Sequence, residues 1–309
     1  TKEVVEAAAG NHESGIGVMK LLLKHRGDDV MITDQVVEAA AGNAGSSRGV
    51  MELLLQHCGD DVMITEGMVW IIARSFHCNV MALLLNLRGD GVKITKEVVE
   101  AAAGNSGSGA EVMELLLDCR GDEVKITKEV VEAAAGNSGS GREVMELLLD
   151  YGGDDATITD EVVVAAAGNC WTGMEVMELL LDRRGDDVTI TDQVVKAAAG
   201  NSGIATVIEL LLDRRGDEFK ITEEVIKTAA GNSGSGRRVM ELLLDRREDE
   251  VMITEEVIKT AAGNSGWGRE VMELLLDRRG DEVKITKEVV EAAAGNSGRG
   301  REVMRLLLN

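Results

Sequence analysis

Four histidines (His12, His25, His57, His77) and four cysteines (Cys58, Cys78, Cys119, Cys170) are the chain's whole stock of imidazole and thiol. A structural zinc site needs four such ligands converging at about 2.0–2.3 Å. His57-Cys58 and His77-Cys78 invite that reading. There is no Cys-x-x-Cys pair, however, and the two His-Cys pairs fall on opposite edges of the architecture derived below. No metal is expected. The cysteines read as drift in a reducing, intracellular compartment rather than as a disulfide framework. No histidine follows His77, so most of the chain lacks the base of a nucleophile–histidine–acid set.

Two other motifs look chemical. Gly104-Asn105-Ser106-Gly107-Ser108-Gly109 suggests a phosphate loop. A true one continues with Lys-Ser/Thr, and a dinucleotide loop follows a strand; neither condition holds. Calcium-binding β-roll repeats have a nine-residue period and an aspartate that is missing here. Arg-Gly-Asp occurs six times, beginning at Arg26, Arg88, Arg120, Arg184, Arg215 and Arg279. As an adhesion tripeptide it would mark a cell-surface ligand. Mechanically it reads as a cationic last helical turn, a glycine C-cap and a linker aspartate. Cys58-Gly59-Asp60 and Gly152-Gly153-Asp154 lose the arginine as a cap would allow, whereas Arg247-Glu248-Asp249 loses the glycine and reads as a strained helix end. Carboxylates are plentiful but recur in copy after copy, whereas a catalytic centre is singular. The chain is expected to be no enzyme and to carry no cofactor.

What positions all these residues is a repeat. Threonine opens each copy, at Thr1, Thr33, Thr65, Thr95, Thr127, Thr159, Thr191, Thr222, Thr254 and Thr286, with 30 to 32 residues between successive threonines. Nine full units and a tenth cut at Asn309 form a single array over 1–309, read as part of a longer protein. A period of this length marks a solenoid whose units bury their apolar faces only by stacking. In the unit starting at Thr127, the threonine predicts a helix N-cap, with Glu129 at the positive helix end. Val130, Val131 and Ala133 to Ala135 build the helix, and Gly136-Asn137 ends it, both residues tolerating a left-handed exit. Ser138 to Gly141 reads as a flexible turn. A second helix runs from Arg142 to about Gly152, with Leu147 to Leu149 in the core and Glu143, Glu146 and Asp150 on its wet stripe. A glycine C-cap and an extended link, Asp154 to Ile158, lead to the next unit. The fold expected is all-α, a curved or superhelical α-solenoid of about ten 32-residue helix-turn-helix units, the alanine helix on the concave side.

Glu-Val-Met-Glu-Leu-Leu-Leu-Asp resembles the second helix of an ankyrin repeat, and Thr-x-x-Val-Val-x-Ala-Ala-Ala resembles a displaced ankyrin first helix. The Thr-Pro-Leu-His start and the long loop between ankyrin units are missing. The Ile-Thr-x-Glu-Val-Val-x-Ala-Ala-Ala-Gly-Asn unit is more similar to the ankyrin-like, near-identical repeats of fungal NACHT/NLR-type (STAND) proteins. That resemblance implies a sensing or partner-binding array, with nucleotide chemistry elsewhere.

The 33 basic and 55 acidic side chains leave a net charge of −22, which repels phosphate backbones and makes nucleic acid a poor partner. The charge serves solubility or attracts a basic protein partner. No apolar run reaches the roughly 18 residues of a membrane-spanning helix, and no secretory leader is visible at Thr1; no membrane association is expected. The copies differ at few positions. The residue after the threonine varies (Lys2, Asp34, Lys96, Lys128, Asp160, Asp192, Lys287), as does the one four later (Glu6, Glu38, Trp70, Glu100, Glu132, Val164, Lys196, Lys227, Lys259, Glu291). Residues four apart share a helix face. With the link residue two before each threonine (Met31, Met63), they form one candidate binding stripe. The hairpin turn is a second variable patch, carrying Ile204, Trp171 and Trp267. The tryptophans replace no core residue and mark a binding surface or neutral drift. The third unit, which lacks Gly-Asn, is a kink, a decayed copy or a contact point. The function expected is a protein-interaction scaffold, the ligand-sensing repeats of a larger intracellular sensor; the alternative is a structural protein stacking end to end into filaments.

Overall fold

The computed structural model describes residues 2–43, 46–57, 64–203 and 205–308. Among these there are twenty α-helices, two per repeat, and no strand. The chain divides into two units, Thr1–Thr157 and Ile158–Asn309. Within each, first helices pack on first helices of adjacent repeats and second helices on second helices, giving two layers of an all-α solenoid. The main helix–helix contacts among the described residues lie within a repeat or between neighbours, as a quasi-one-dimensional stack requires.

The repeat starting at Thr127 shows how the sequence does this. Its first helix, Lys128–Gly136, buries Val130, Val131, Ala134 and Ala135. Its second, Gly141–Gly152, buries Val144, Met145, Leu148 and Leu149. The leucine triplet does not serve uniformly: the middle leucine (Leu54, Leu84, Leu116, Leu148, Leu180, Leu211, Leu243, Leu275) is fully buried, whereas Leu21 and Leu308 stand in solvent. The threonine caps are real but divided. Thr33, Thr65, Thr159, Thr254 and Thr286 accept from the amide three residues on. The hydroxyls of Thr65, Thr254 and Thr286 also donate to Asp34, Glu223 and Glu255, the residues that open the preceding first helix.

The exit of the first helix differs from the sequence expectation. Asn137 is extended, with φ −69° and ψ 113°, and the only positive φ angles among the described residues belong to Ala205 and Gly153. The asparagine is not a conformational punctuation mark. It is a buried hydrogen-bonding group that joins repeats. The Asn137 amide donates to the Ala103 and Asn105 carbonyls of the preceding repeat at 2.7 and 3.1 Å, while its oxygen accepts from the turn amides of Gly139 and Ser140. Asn43 reaches Ala9 and Asn11 in the same way. In the second unit Asn201, Asn232, Asn264 and Asn296 reach Ala167, Ala199, Ala230 and Ala262 and, in each case, the preceding asparagine's carbonyl. The alanine carbonyls belong to the last helical turn, where the helix itself supplies no donor.

The turn is therefore held by its asparagine and is not slack. Close approach requires glycine both in this turn and in that of the next repeat. A Cβ on Gly139 would lie 1.7 Å from the Ser106 carbonyl oxygen of the preceding turn, and one on Gly173 2.3 Å from that of Ala166. Gly136, helical and facing open space, carries no such demand. The third repeat has Phe76 where others have the Gly-Asn exit. Phe76 is buried, and its carbonyl, with that of Ala73, accepts from Asn105. The repeat is decayed in sequence yet still takes the next repeat's amide.

Removing the Asn137 amide orphans buried carbonyls, each costing about 1–3 kcal/mol. Asn137→Ala is expected to lower the urea-unfolding free energy by at least about 2 kcal/mol, whereas exposed Ser138→Ala stays within about 0.5 kcal/mol. The glycines separate in the same assay. Gly139→Ala destabilises, and Gly136→Ala is neutral or stabilising by up to about 1 kcal/mol, because alanine is the better helix former.

Candidate functional site

Three surfaces carry the residues singled out by the sequence. The first is the stripe on the first helices. Lys2, Lys96, Lys128, Asp160, Asp192 and Lys287 are exposed at the first helical position, and Asp34 is half-buried. Four residues on, Glu38, Glu100, Glu132 and Glu291 are exposed, and Glu6, Val164, Lys196, Lys227 and Lys259 are half-buried. Lys287 and Glu291 sit 3.3 Å apart, and link residue Lys93 is 3.4 Å from Glu66 at the first helical position. All three position classes thus adjoin. Met31 is exposed; Met63 lies outside the described residues, as does Cys58. Trp70 stands on the stripe with the Arg74 guanidinium 5.1 Å from its ring centre.

The run of lysines is not bare positive charge. Lys196 and Lys227 both approach Glu224, at 3.5 and 3.4 Å, and Lys259 approaches Glu256 at 3.2 Å. The Lys227 hydrogen bond, then its charge, hold the Glu224 carboxyl below the usual range. Asp34 is likewise engaged by Thr65.

The second surface is the turn edge. Trp171 is 76% exposed, on a turn whose amide is held by the Asn169 oxygen. Trp267 is partly covered because its indole N–H donates to the Gly234 carbonyl at 2.8 Å, laying the ring across the preceding turn. Ile204 falls outside the described residues.

The third is the opposite edge, where the Arg-Gly-Asp tripeptides lie. Gly121, which follows the second helix Gly109–Arg120, is right-handed (φ −50°, ψ −38°) and opens a 3₁₀ turn, Gly121–Glu123, so the glycine is no left-handed cap. The arginine is a staple. Arg120 donates to the Gly89 and Val92 carbonyls of the preceding repeat and to Glu123. Arg215 does the same with Gly185, Val188 and Glu218. Arg247 does so with Gly216, Phe219 and Glu250, in the copy that has no glycine. Glu248–Glu250 forms the same 3₁₀ turn, with Arg247 in the conformation of its counterparts. That end is not strained, because the staple never depended on a glycine's freedom. Sequence reasoning missed this role. The available signal was an acidic residue three positions after the arginine.

Among the described residues no group of three or more His, Cys, Asp or Glu side chains is placed to hold a metal ion. Cys78, Cys119 and Cys170 are free thiols; Cys78 contacts the His77 ring, and burial together with Glu111 pushes its thiol up. No helix among the described residues is long and apolar enough to cross a membrane.

A family model described as a domain of unknown function (DUF7104) matches ten segments: 1–19, 21–51, 53–70, 83–113, 115–145, 147–177, 179–206, 210–240, 242–272 and 274–304. The chain belongs to this family. Each full DUF7104 segment runs from the leucines of one second helix, through the turn that follows it, the alanine helix and the asparagine turn, into the next second helix. The family unit therefore encloses the asparagine joint and, where the arginine is present, the staple as well. The longest gap between matches, 71–82, falls on the decayed exit around Phe76. No curated protein matches the chain.

The arginine staples give acid sensitivity a sign. The Arg215 hydrogen bond holds the Glu218 carboxyl below its usual value. A depressed folded-state value means stabilisation that is fully present above the unfolded value, about 4.3, and is lost as pH falls through the folded one. Thermal unfolding of the chain is expected to be insensitive to this pair from pH 7 to about 5 and to weaken below that. Glu218→Gln is expected to reduce the acid slope slightly, since the pair is solvent-screened.

Proposed function

We propose that this repeat scaffold is a protein-recognition surface that performs no covalent step itself. The observation that carries the reading is the placement of tryptophan. The core is built from Val, Ile, Leu, Met and Ala with two buried phenylalanines, and Trp171 projects 76% exposed from a turn whose backbone is pinned. Large aromatic side chains on a preorganised backbone are the residues that dominate binding energy at interfaces. The stripe on the first helices supplies a second set of variable, charged positions. The partner is a protein, with a basic one favoured by the net charge of −22.

The resemblance of the Ile-Thr-x-Glu-Val-Val-x-Ala-Ala-Ala-Gly-Asn unit to repeats of NACHT/NLR-type proteins supports a finer reading. In it the chain is the recognition array of a larger intracellular sensor. The test compares partner capture by the wild-type chain, by Trp171→Ala, by Lys196→Glu/Lys227→Glu/Lys259→Glu and by Glu146→Ala on the second-helix face. Loss of about tenfold in affinity, ~1.4 kcal/mol, for either of the first two variants, with Glu146→Ala unchanged and all melting curves alike, is the expected result. Equal capture by every variant removes this surface from consideration.

A further inference from the structure

The turn edge of the second unit contains a cleft of about 340 Å³ lined by three successive repeats, at the lower end of the size range for small-ligand pockets. Ser202 and Gly203 come from one turn, Gly234 and Ser235 from the next, Arg237, Arg238 and Glu241 from the helix that follows, and Trp267 from the third. The scaffold alone would place here what it places elsewhere, and it does not. Arg238 occupies the position that is Glu111, Glu143, Glu175, Glu270 and Glu302 in other copies. Trp267 occupies the position of Ser108, Ser140 and Ser235. The turn after Asn201 is one residue shorter than its counterparts, and Ala205, beyond it, is left-handed with φ 60°. Two substitutions found in no other copy and one of the two shortened turns meet in one cavity.

Their chemistry agrees. The shortened copy has lost its acidic residue at this edge and the next has reversed it to arginine, so two guanidiniums, Arg237 and Arg238, stand at the cleft where other copies have at most one. The Arg238 guanidinium is 3.6 Å from the Glu209 carboxylate, beyond hydrogen-bond distance, and half exposed. Arg237 is held against Glu241 at 3.0 Å. The indole, fixed by its N–H to Gly234, offers a wall whose orientation costs nothing further on binding. A planar guanidinium presents paired donors to a carboxylate, and an indole face stacks on a ring.

We propose that this cleft is a binding site for a small aromatic carboxylate of one or two rings, the carboxylate on Arg238 and the ring against Trp267. The test uses sodium 2-naphthoate as probe, with uncharged 2-naphthylmethanol as comparator, on the whole chain by saturation-transfer NMR and calorimetry. Arg238→Glu and Trp267→Ser restore residues the other repeats already carry, so both are expected to fold. Arg238→Gln, which removes the charge without adding one, gives a second reading. Saturable naphthoate binding is expected, weakened by about tenfold or more in each variant and for the alcohol. The proposal is overturned if naphthoate does not saturate, if the alcohol binds equally well, or if Arg238→Glu and Arg238→Gln bind as the wild type does.

Discussion

Within each unit, the asparagine amide that follows the first helix, present in nine of the ten copies, is the bond on which the stack depends. A primary amide has two N–H donors and one oxygen with two lone pairs. At Asn137 and Asn232 the described bonds use both ends: the nitrogen closes the preceding helix, and the oxygen closes the residue's own turn. One buried side chain thereby satisfies orphaned groups in two repeats at once. The geometry fixes how near consecutive first helices must lie, and that distance selects the rest of the sequence. Alanine is the residue whose side chain leaves the carbonyls within reach. Glycine follows in the turn because successive turns come close enough that a Cβ at Gly139, Gly234 or Gly266 would fall within 2.5 Å of the preceding turn's carbonyl oxygen.

A stack pinned along one edge only would be free to splay along the other. The arginine staples meet that requirement at the far end of the second helices, where one guanidinium spans two carbonyls of the preceding repeat and a carboxylate of its own. Bonds of this kind are stronger than neutral ones. With both edges held by polar bonds and the layers between them filled by aliphatic side chains, no aromatic residue is needed for packing. Variation then collects on the outer face of the first helices and in the turn, where Trp171 stands at the position that is Gly139 one repeat earlier.

How far the sequence could be read follows from the range of each interaction. Two helices per unit, the threonine starts and the buried middle leucine depend on neighbours three to eight residues away, and periodicity displays them. The Asn137 bonds span 32 and 34 residues, and those of Arg120 to the preceding repeat 28 and 31, so local reasoning assigned both residues to helix ends. Asparagine in nine of ten copies was the overlooked signal, because a helix exit asks only for glycine. The exposed tryptophans were legible for the converse reason: they break a pattern whose core is visible. The cleft at Arg238 was not, since its walls come from three repeats and each departure alone looks like drift.

The decayed third repeat shows how far this architecture can depart from its own rule. Without an asparagine at its exit, that repeat donates no amide of this kind to the second one. The net worth of two such bonds is about 1–3 kcal/mol. Burial of the Phe76 side chain, 2% exposed, is worth about 1.5–3 kcal/mol, a comparable sum of opposite sign. The exchange is local, because in a one-dimensional stack each repeat answers only to its neighbours. Asn105 of the fourth repeat still finds two carbonyls, at Ala73 and Phe76, since what it requires is main-chain oxygen and not any particular side chain. The ladder reads backbone, so it survives a break in the sequence that wrote it.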